Sequence, residues 1–101
     1  MLQVEFRTKK LKKQFLDSKQ AVKAYGQAVA THYIERINII KHTSSIEELE
    51  RLPGLNCHPL KGNRDGEWSI KLINRMRLIF TLEGETLHIA RIKEVSKHYG
   101  D

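Results

Sequence analysis

From Trp68 to Ala90 the chain reads W-S-I-K-L-I-N-R-M-R-L-I-F-T-L-E-G-E-T-L-H-I-A, and its apolar side chains return at every second position. Trp68, Ile70 and Leu72 alternate with Ser69, Lys71 and Ile73; Leu78, Phe80 and Leu82 alternate with Arg77, Ile79 and Thr81; Leu87 and Ile89 alternate with His88 and Ala90. A period of two belongs to a strand with one buried face, so three successive strands are expected. Asn74-Arg75 and Gly84 fall where hairpin connections belong, and Asn63-Arg64-Asp65-Gly66 forms a turn ahead of the first strand. An antiparallel meander is the economical arrangement. Arg77 then points to the same side as Ile79 and Thr81, away from the stripe of Leu78, Phe80 and Leu82.

Upstream the period changes. Leu2, Val4 and Phe6 predict one short strand, after which Thr8 can cap a helix that places Leu11 and Phe15 on one side and lysines on the other. Asp17-Ser18 interrupts that helix and offers a new N-cap. From about Gln20 to Lys41, Val22, Tyr25, Val29, Tyr33, Ile37 and Ile40 recur at steps of three and four, which predicts one long helix with a buried face. Ser44 and Ser45 stand three residues before Glu47 and Glu48, two overlapping capping-box registers for a short helix that Pro53-Gly54 ends. Strand, helices, then a run of strands imply an α+β fold: an N-terminal strand and helices packed on one face of a mostly antiparallel sheet, with the other face free for function.

At 101 residues and 40% hydrophobic content the chain suffices for a single domain spanning residues 1–101. No apolar run is long enough for a membrane helix, and the N-terminus lacks the layout of a signal peptide, so a cytoplasmic protein with no membrane partner is expected. Cys57 is the lone cysteine and no Cys/His spacing resembles a zinc site, so neither a metal nor another cofactor is called for. The net charge of +6 favours polyanionic partners, and much of the excess lies early, in Arg7, Lys9, Lys10, Lys12, Lys13 and Lys19.

Cleaving RNA without a metal means driving a ribose 2′-hydroxyl onto the adjacent phosphorus, which needs a base, an acid for the leaving 5′-oxygen and fixed positive charge on the phosphoryl oxygens. Cys57-His58-Pro59-Leu60-Lys61 supplies candidates. Run extended, it puts His58 and Leu60 on one face with Lys61 at the turn beyond. His58 is a natural proton acceptor near neutral pH. Arg77, projecting from a strand, is a suitable phosphate clamp. Arg64, Lys71 and Arg75 near the same turn and strands, with Lys10 and Lys13 on the first helix, are the cations expected on RNA. Taken singly each of these is an ordinary surface residue; only as a set do they carry catalytic logic. Trp68 belongs to the apolar stripe, and His32 and His42 receive no role.

The segment Pro53 to Phe80, P-G-L-N-C-H-P-L-K-G-N-R-D-G-E-W-S-I-K-L-I-N-R-M-R-L-I-F, resembles the core of HigB-type toxins of the RelE/ParE superfamily. The matching pattern is His-Pro-Leu-Lys-Gly, then Arg-x-Gly-x-Trp-Ser-Ile, then Asn-x-x-Arg-Leu-x-Phe. The resemblance implies a RelE-like fold and a ribosome-dependent mRNA endoribonuclease that inhibits translation. It further implies a HigA-like helix-turn-helix antitoxin, with operator DNA bound only through the antitoxin complex. His58 and Lys61 match the family's active-site His and Lys, and Arg77 matches its phosphate-contacting Arg. The C-terminus departs from the pattern: many HigB toxins end in Asp-Tyr-His, whereas here Glu94 takes the acidic position and Val95 and Ser96 follow. His98 and Tyr99 are the residues left to complete the catalytic set if the tail curls back. The same superfamily fold also serves ParE-like inhibitors of DNA gyrase, and it would equally suit a non-catalytic basic RNA-binding module.

Overall fold

The computed structural model describes residues 1–97. Three of the helices begin where a side chain satisfies a free backbone N–H. Thr8 Oγ1 accepts from Leu11 N at 3.1 Å and starts α1, Lys9–Leu16. Asp17 Oδ1 accepts from Lys19 N at 3.1 Å and starts α2, Ser18–Tyr25. Of the two capping registers at Ser44-Ser45, the fold uses the second, with Ser45 Oγ accepting from Glu48 N at 3.3 Å.

The single long helix expected from Gln20 to Lys41 is instead the end of α2 and a separate α3, Gln27–Lys41, broken at Gly26. Gly26 has φ +83° and ψ 164°, a conformation essentially reserved for glycine. The apolar spacing runs through the break because both helices bury their faces in one core: Ala21 from α2 and Ala30, Tyr33, Ile37 and Ile40 from α3 are all buried. Periodicity reports the buried face and is silent about the bend. The Tyr33 hydroxyl donates to Leu11 O at 2.8 Å and so ties α3 to α1.

The strands are β1 (Gln3–Phe6), β2 (His58–Pro59), β3 (Glu67–Lys71), β4 (Met76–Glu83) and β5 (Ile89–Lys97); α4, Ile46–Arg51, lies between α3 and β2. They form one sheet in the order β1-β5-β4-β3-β2. The meander β3-β4-β5 is antiparallel as expected, β2 adds to it antiparallel beside β3, and β1 joins the far edge parallel to β5. The expected stripe of Leu87 and Ile89 is not the buried one: Leu87, at φ +54°, lies before the strand and is exposed, and Ala90 and Ile92 face the core. Asn74 and Arg75 both have positive φ, +55° and +65°, as the tight β3–β4 hairpin demands. Pro59 is tolerated on the edge strand β2 because it faces Trp68 between the hydrogen-bonded positions, while Leu60 N donates to Glu67 O at 2.8 Å.

Ile70, Leu78, Phe80, Ala90 and Ile92 are fully buried on the face that shares its core with the helices. Trp68 stacks on Phe80 at 6.5 Å between ring centroids and belongs to that side. A bulge in β5 keeps the pattern: Ile79 faces Glu94 but Phe80 faces Ile92, so Lys93 is the extra residue. With it, Ile92 and Val95 can both face the core and Arg91, Glu94 and Ser96 the other side.

Candidate active site

The outward face of the sheet is laid out in rows by the strand register. One row is His58–Ser69–Ile79–Glu94, the next toward the β3–β4 hairpin is Lys71–Arg77–Ser96, and on the other side Glu67–Thr81–Arg91–Glu5. Arg77 does share its side with Ile79 and Thr81. His58 and Arg77 stand two strands and one row apart, roughly 10 Å across and 7 Å along, a gap that long side chains can close around a phosphate.

His58 is half-buried. Its Nδ1 lies 2.8 Å from Asn56 O, and a carbonyl only accepts, so Nδ1 carries the proton and Nε2 of the neutral ring keeps its lone pair. Asn56 reaches this geometry with φ +47°, a conformation asparagine tolerates better than most residues. Lys61 is exposed and begins the 3₁₀ turn Gly62–Arg64. Arg77 donates from Nη1 to Met76 O at 3.2 Å, and its Nε, like Ser69 Oγ, is shielded without a hydrogen-bond partner among the described residues.

Ion pairs divide the face. Arg91 bonds Glu83 at 2.8 Å and Glu5 at 2.7 Å, holding the Glu83 carboxyl below its usual range. Arg64 bonds Glu67 through Nε at 2.6 Å and Glu94 through Nη2 at 2.8 Å, and these bonds raise its pKa. Lys61, Lys71 and Arg77 form no ion pair among the described residues, nor does Arg75, exposed at the hairpin tip. One end of the face is charge-compensated; the end bearing His58, Lys71 and Arg77 is left cationic.

Lys10 and Lys13 are exposed on α1 and, with Gln14, Gln20 and Lys23, line a groove of about 370 Å³ between α1 and α2. Lys10 also lines a neighbouring groove with Arg7, Lys93 and Glu94, which connects the hairpin to β5. His98 and Tyr99 lie outside the described residues. Sequence reading missed Glu67 and Asn56. The Arg64-to-Glu67 spacing is visible in the chain, but Glu94 lies 30 residues from Arg64 and only strand pairing brings it there. Cys57 is buried beneath the site, which pushes its thiol up to about 12, so it has no nucleophilic character at neutral pH.

A family model, RelE-like toxin of type II toxin–antitoxin system HigB, matches residues 4–92. The chain belongs to the HigB-like toxin family. No curated protein matches this HigB-like toxin, but solved structures share its fold. A YoeB/ParE toxin from Agrobacterium tumefaciens is 15% identical with a TM-score of 0.66, the match covering 97% of this chain and 100% of that one. YafQ from E. coli is 16% identical with a TM-score of 0.65, covering 99% and 100%. A YoeB–YefM complex from Staphylococcus aureus is 16% identical with a TM-score of 0.62, covering 98% and 99%. The α+β architecture of the HigB-like toxin, helices on one face of a mostly antiparallel sheet, is therefore that of RelE-type toxins. Among the described residues no helix is long and apolar enough to cross a membrane.

Proposed function

We propose that this HigB-like toxin is a metal-independent endoribonuclease that cuts mRNA on the ribosome and is held inactive by a HigA-like helix-turn-helix antitoxin. What supports the reading is that Lys61, Lys71 and Arg77 form no ion pair among the described residues, and that the tautomer of His58 leaves Nε2 as an acceptor. His58 Nε2 takes the proton of the ribose 2′-hydroxyl as O2′ attacks phosphorus. Arg77 carries the charge that builds on the non-bridging oxygens, fixed in place by β4 between two neighbouring strands. The P–O5′ bond breaks and Lys61 Nζ gives the leaving oxygen its proton, so the products are a cyclic 2′,3′-phosphate and a 5′-hydroxyl. Arg75 and Lys71 extend the cationic track along the RNA, and the α1–α2 hairpin, which bears Lys10 and Lys13, docks on ribosomal RNA. His98 and Tyr99 are the remaining candidates for the C-terminal part of the catalytic set. Operator DNA is contacted through the antitoxin complex.

The test is induced expression in a susceptible bacterium, comparing wild type with a His58→Ala, Arg77→Ala variant and mapping mRNA 5′ ends. Growth arrest with codon-phased cuts inside translated frames, absent in the folded variant, is the expected result. Arrest without cuts, or a variant as toxic as wild type, rejects the catalytic assignment and moves gyrase inhibition or simple RNA binding ahead. RNA binding without new 5′ ends identifies a non-catalytic module.

A further inference from the structure

The turn that carries Lys61 is closed at its base by the Leu60 N to Glu67 O bond of 2.8 Å and has little else in its backbone to hold it. Lys61, Gly62, Asn63, Asp65 and Gly66 are all exposed, and both glycines sit at positive φ, +68° and +94°. Its own backbone bonds are Asp65 N to Gly62 O at 3.1 Å and a long Arg64 N to Lys61 O at 3.4 Å. Among the described residues, Arg64 is the turn's one side chain bonded to the sheet. Its two partners flank β4: Glu67 on β3 and Glu94 on β5. The guanidinium therefore arches over β4 between Thr81 and Ile79, over a part of the outward face where Ile79 is 2% and Ser69 0% exposed.

We propose that Arg64 is a positioning residue: by joining Glu67 to Glu94 it holds the turn, and with it Lys61, over the outward face of the sheet. The two carboxylates on different strands bond different nitrogens of the planar fork, Nε and Nη2, a spread that the single nitrogen of a lysine does not reproduce. A lysine would keep the charge and weaken the bridge. With both carboxylates engaged, Arg64 serves geometry in place of phosphate binding. The kinetic consequence rests on the nuclease reading above; the attachment of the turn does not.

Arg64→Lys and Glu67→Gln, both conservative at partly exposed positions, separate the two roles. Amide hydrogen exchange of the purified toxin reads the attachment. Exchange at Asp65 is expected to rise about fivefold in both variants, the scale of a lost surface ion pair. Cleavage on mRNA-programmed ribosomes reads the consequence: kcat falls about fivefold in both with little change in KM, and the loss disappears in a Lys61→Ala background. Unchanged exchange overturns the proposal. So does an Arg64→Lys variant that cuts like wild type together with a Glu67→Gln variant that binds ribosomes more tightly, the signature of direct phosphate contact. If wild type itself cuts nothing, the nuclease reading falls, and the exchange result still decides whether Arg64 holds the turn.

Discussion

The charge of the chain is concentrated to a degree that can be tested by salt. Between Arg7 and Lys23 there are seven basic residues and one acid, Asp17, an excess equal to the net charge of +6, so the remaining residues balance. Replacing Lys10, Lys13 and Lys23 by Gln removes three cations that line one groove. Lys10, Lys13 and Lys23 are all exposed, so folding should be untouched. If each neutralises one phosphate, the slope of log affinity against log salt becomes shallower by about 0.7 to 0.9 per residue, roughly 2 to 3 in all. From 50 to 200 mM salt the wild-type advantage should then shrink roughly 16- to 64-fold. Sedimentation with purified ribosomes over a KCl series measures both slopes. Parallel slopes, with the triple variant merely offset or indistinguishable, would refute docking through the α1–α2 hairpin.

Gly26→Ala meets open space but must hold a glycine-only conformation, so it should destabilise the fold by about 1–3 kcal/mol in a thermal melt; an unchanged midpoint would mean the bend is not held there. Tyr33→Phe removes a buried hydroxyl bond to Leu11 O and should cost about 1 kcal/mol, read by urea unfolding with an unchanged m-value; a neutral result would mean that the bond does not tie α3 to α1. Cys57 gives a pH signature. Its folded pKa is raised from 9.0 to about 12, so between those values the unfolded thiol ionises while the folded one does not, and stability falls as pH rises. Cys57→Ala should show a shallower fall over that window than wild type, since other buried groups such as Tyr33 are common to both; identical curves would place the thiol in contact with solvent.

What the sequence disclosed follows from what each signal measures. Alternation fixed the faces of β3 and β4 and put Arg77 outward, because the period of two is a backbone property that tertiary contacts do not alter. It misassigned the start of β5, where Ala90 and Ile92 are buried and Leu87 is 55% exposed, because small Ala90 fits the core beside Leu82 without carrying an apolar signal. Capping at Thr8, Asp17 and Ser45 was legible because a cap is a bond within a few residues of its own helix. The bend at Gly26 escaped because the apolar spacing of Val22, Tyr25, Val29 and Tyr33 is satisfied by one helix or two. The bridge from Arg64 to Glu94 escaped for the opposite reason: each residue is an ordinary surface charge until the sheet places them on either side of β4. His58 was visible as a candidate, but its tautomer depends on Asn56 taking a left-handed conformation, which nothing in the neighbouring residues announces.

The two cationic regions have different physical duties. The hairpin cations are exposed on α1 and α2, where they act at a distance and tolerate exchange of one lysine for another. Arg77 is half-buried in the middle of the sheet with a shielded Nε, where geometry rather than net charge decides its use. Lys10 of the first helix reaches a groove beside Glu94 of β5, and His58 lies on β2, three strand spacings or roughly 14 Å away. That separation exceeds the Debye length at physiological salt, about 8 Å, so charge on the hairpin should alter encounter with the ribosome and leave the chemical step alone. A His58→Ala, Arg77→Ala toxin should consequently still bind ribosomes with the wild-type salt slope apart from the Arg77 contribution. The hairpin triple variant should cut at the wild-type rate once saturated. Were saturation to leave the triple variant slow, the hairpin lysines would have to act inside the reacting centre, and the division between docking and chemistry would be wrong.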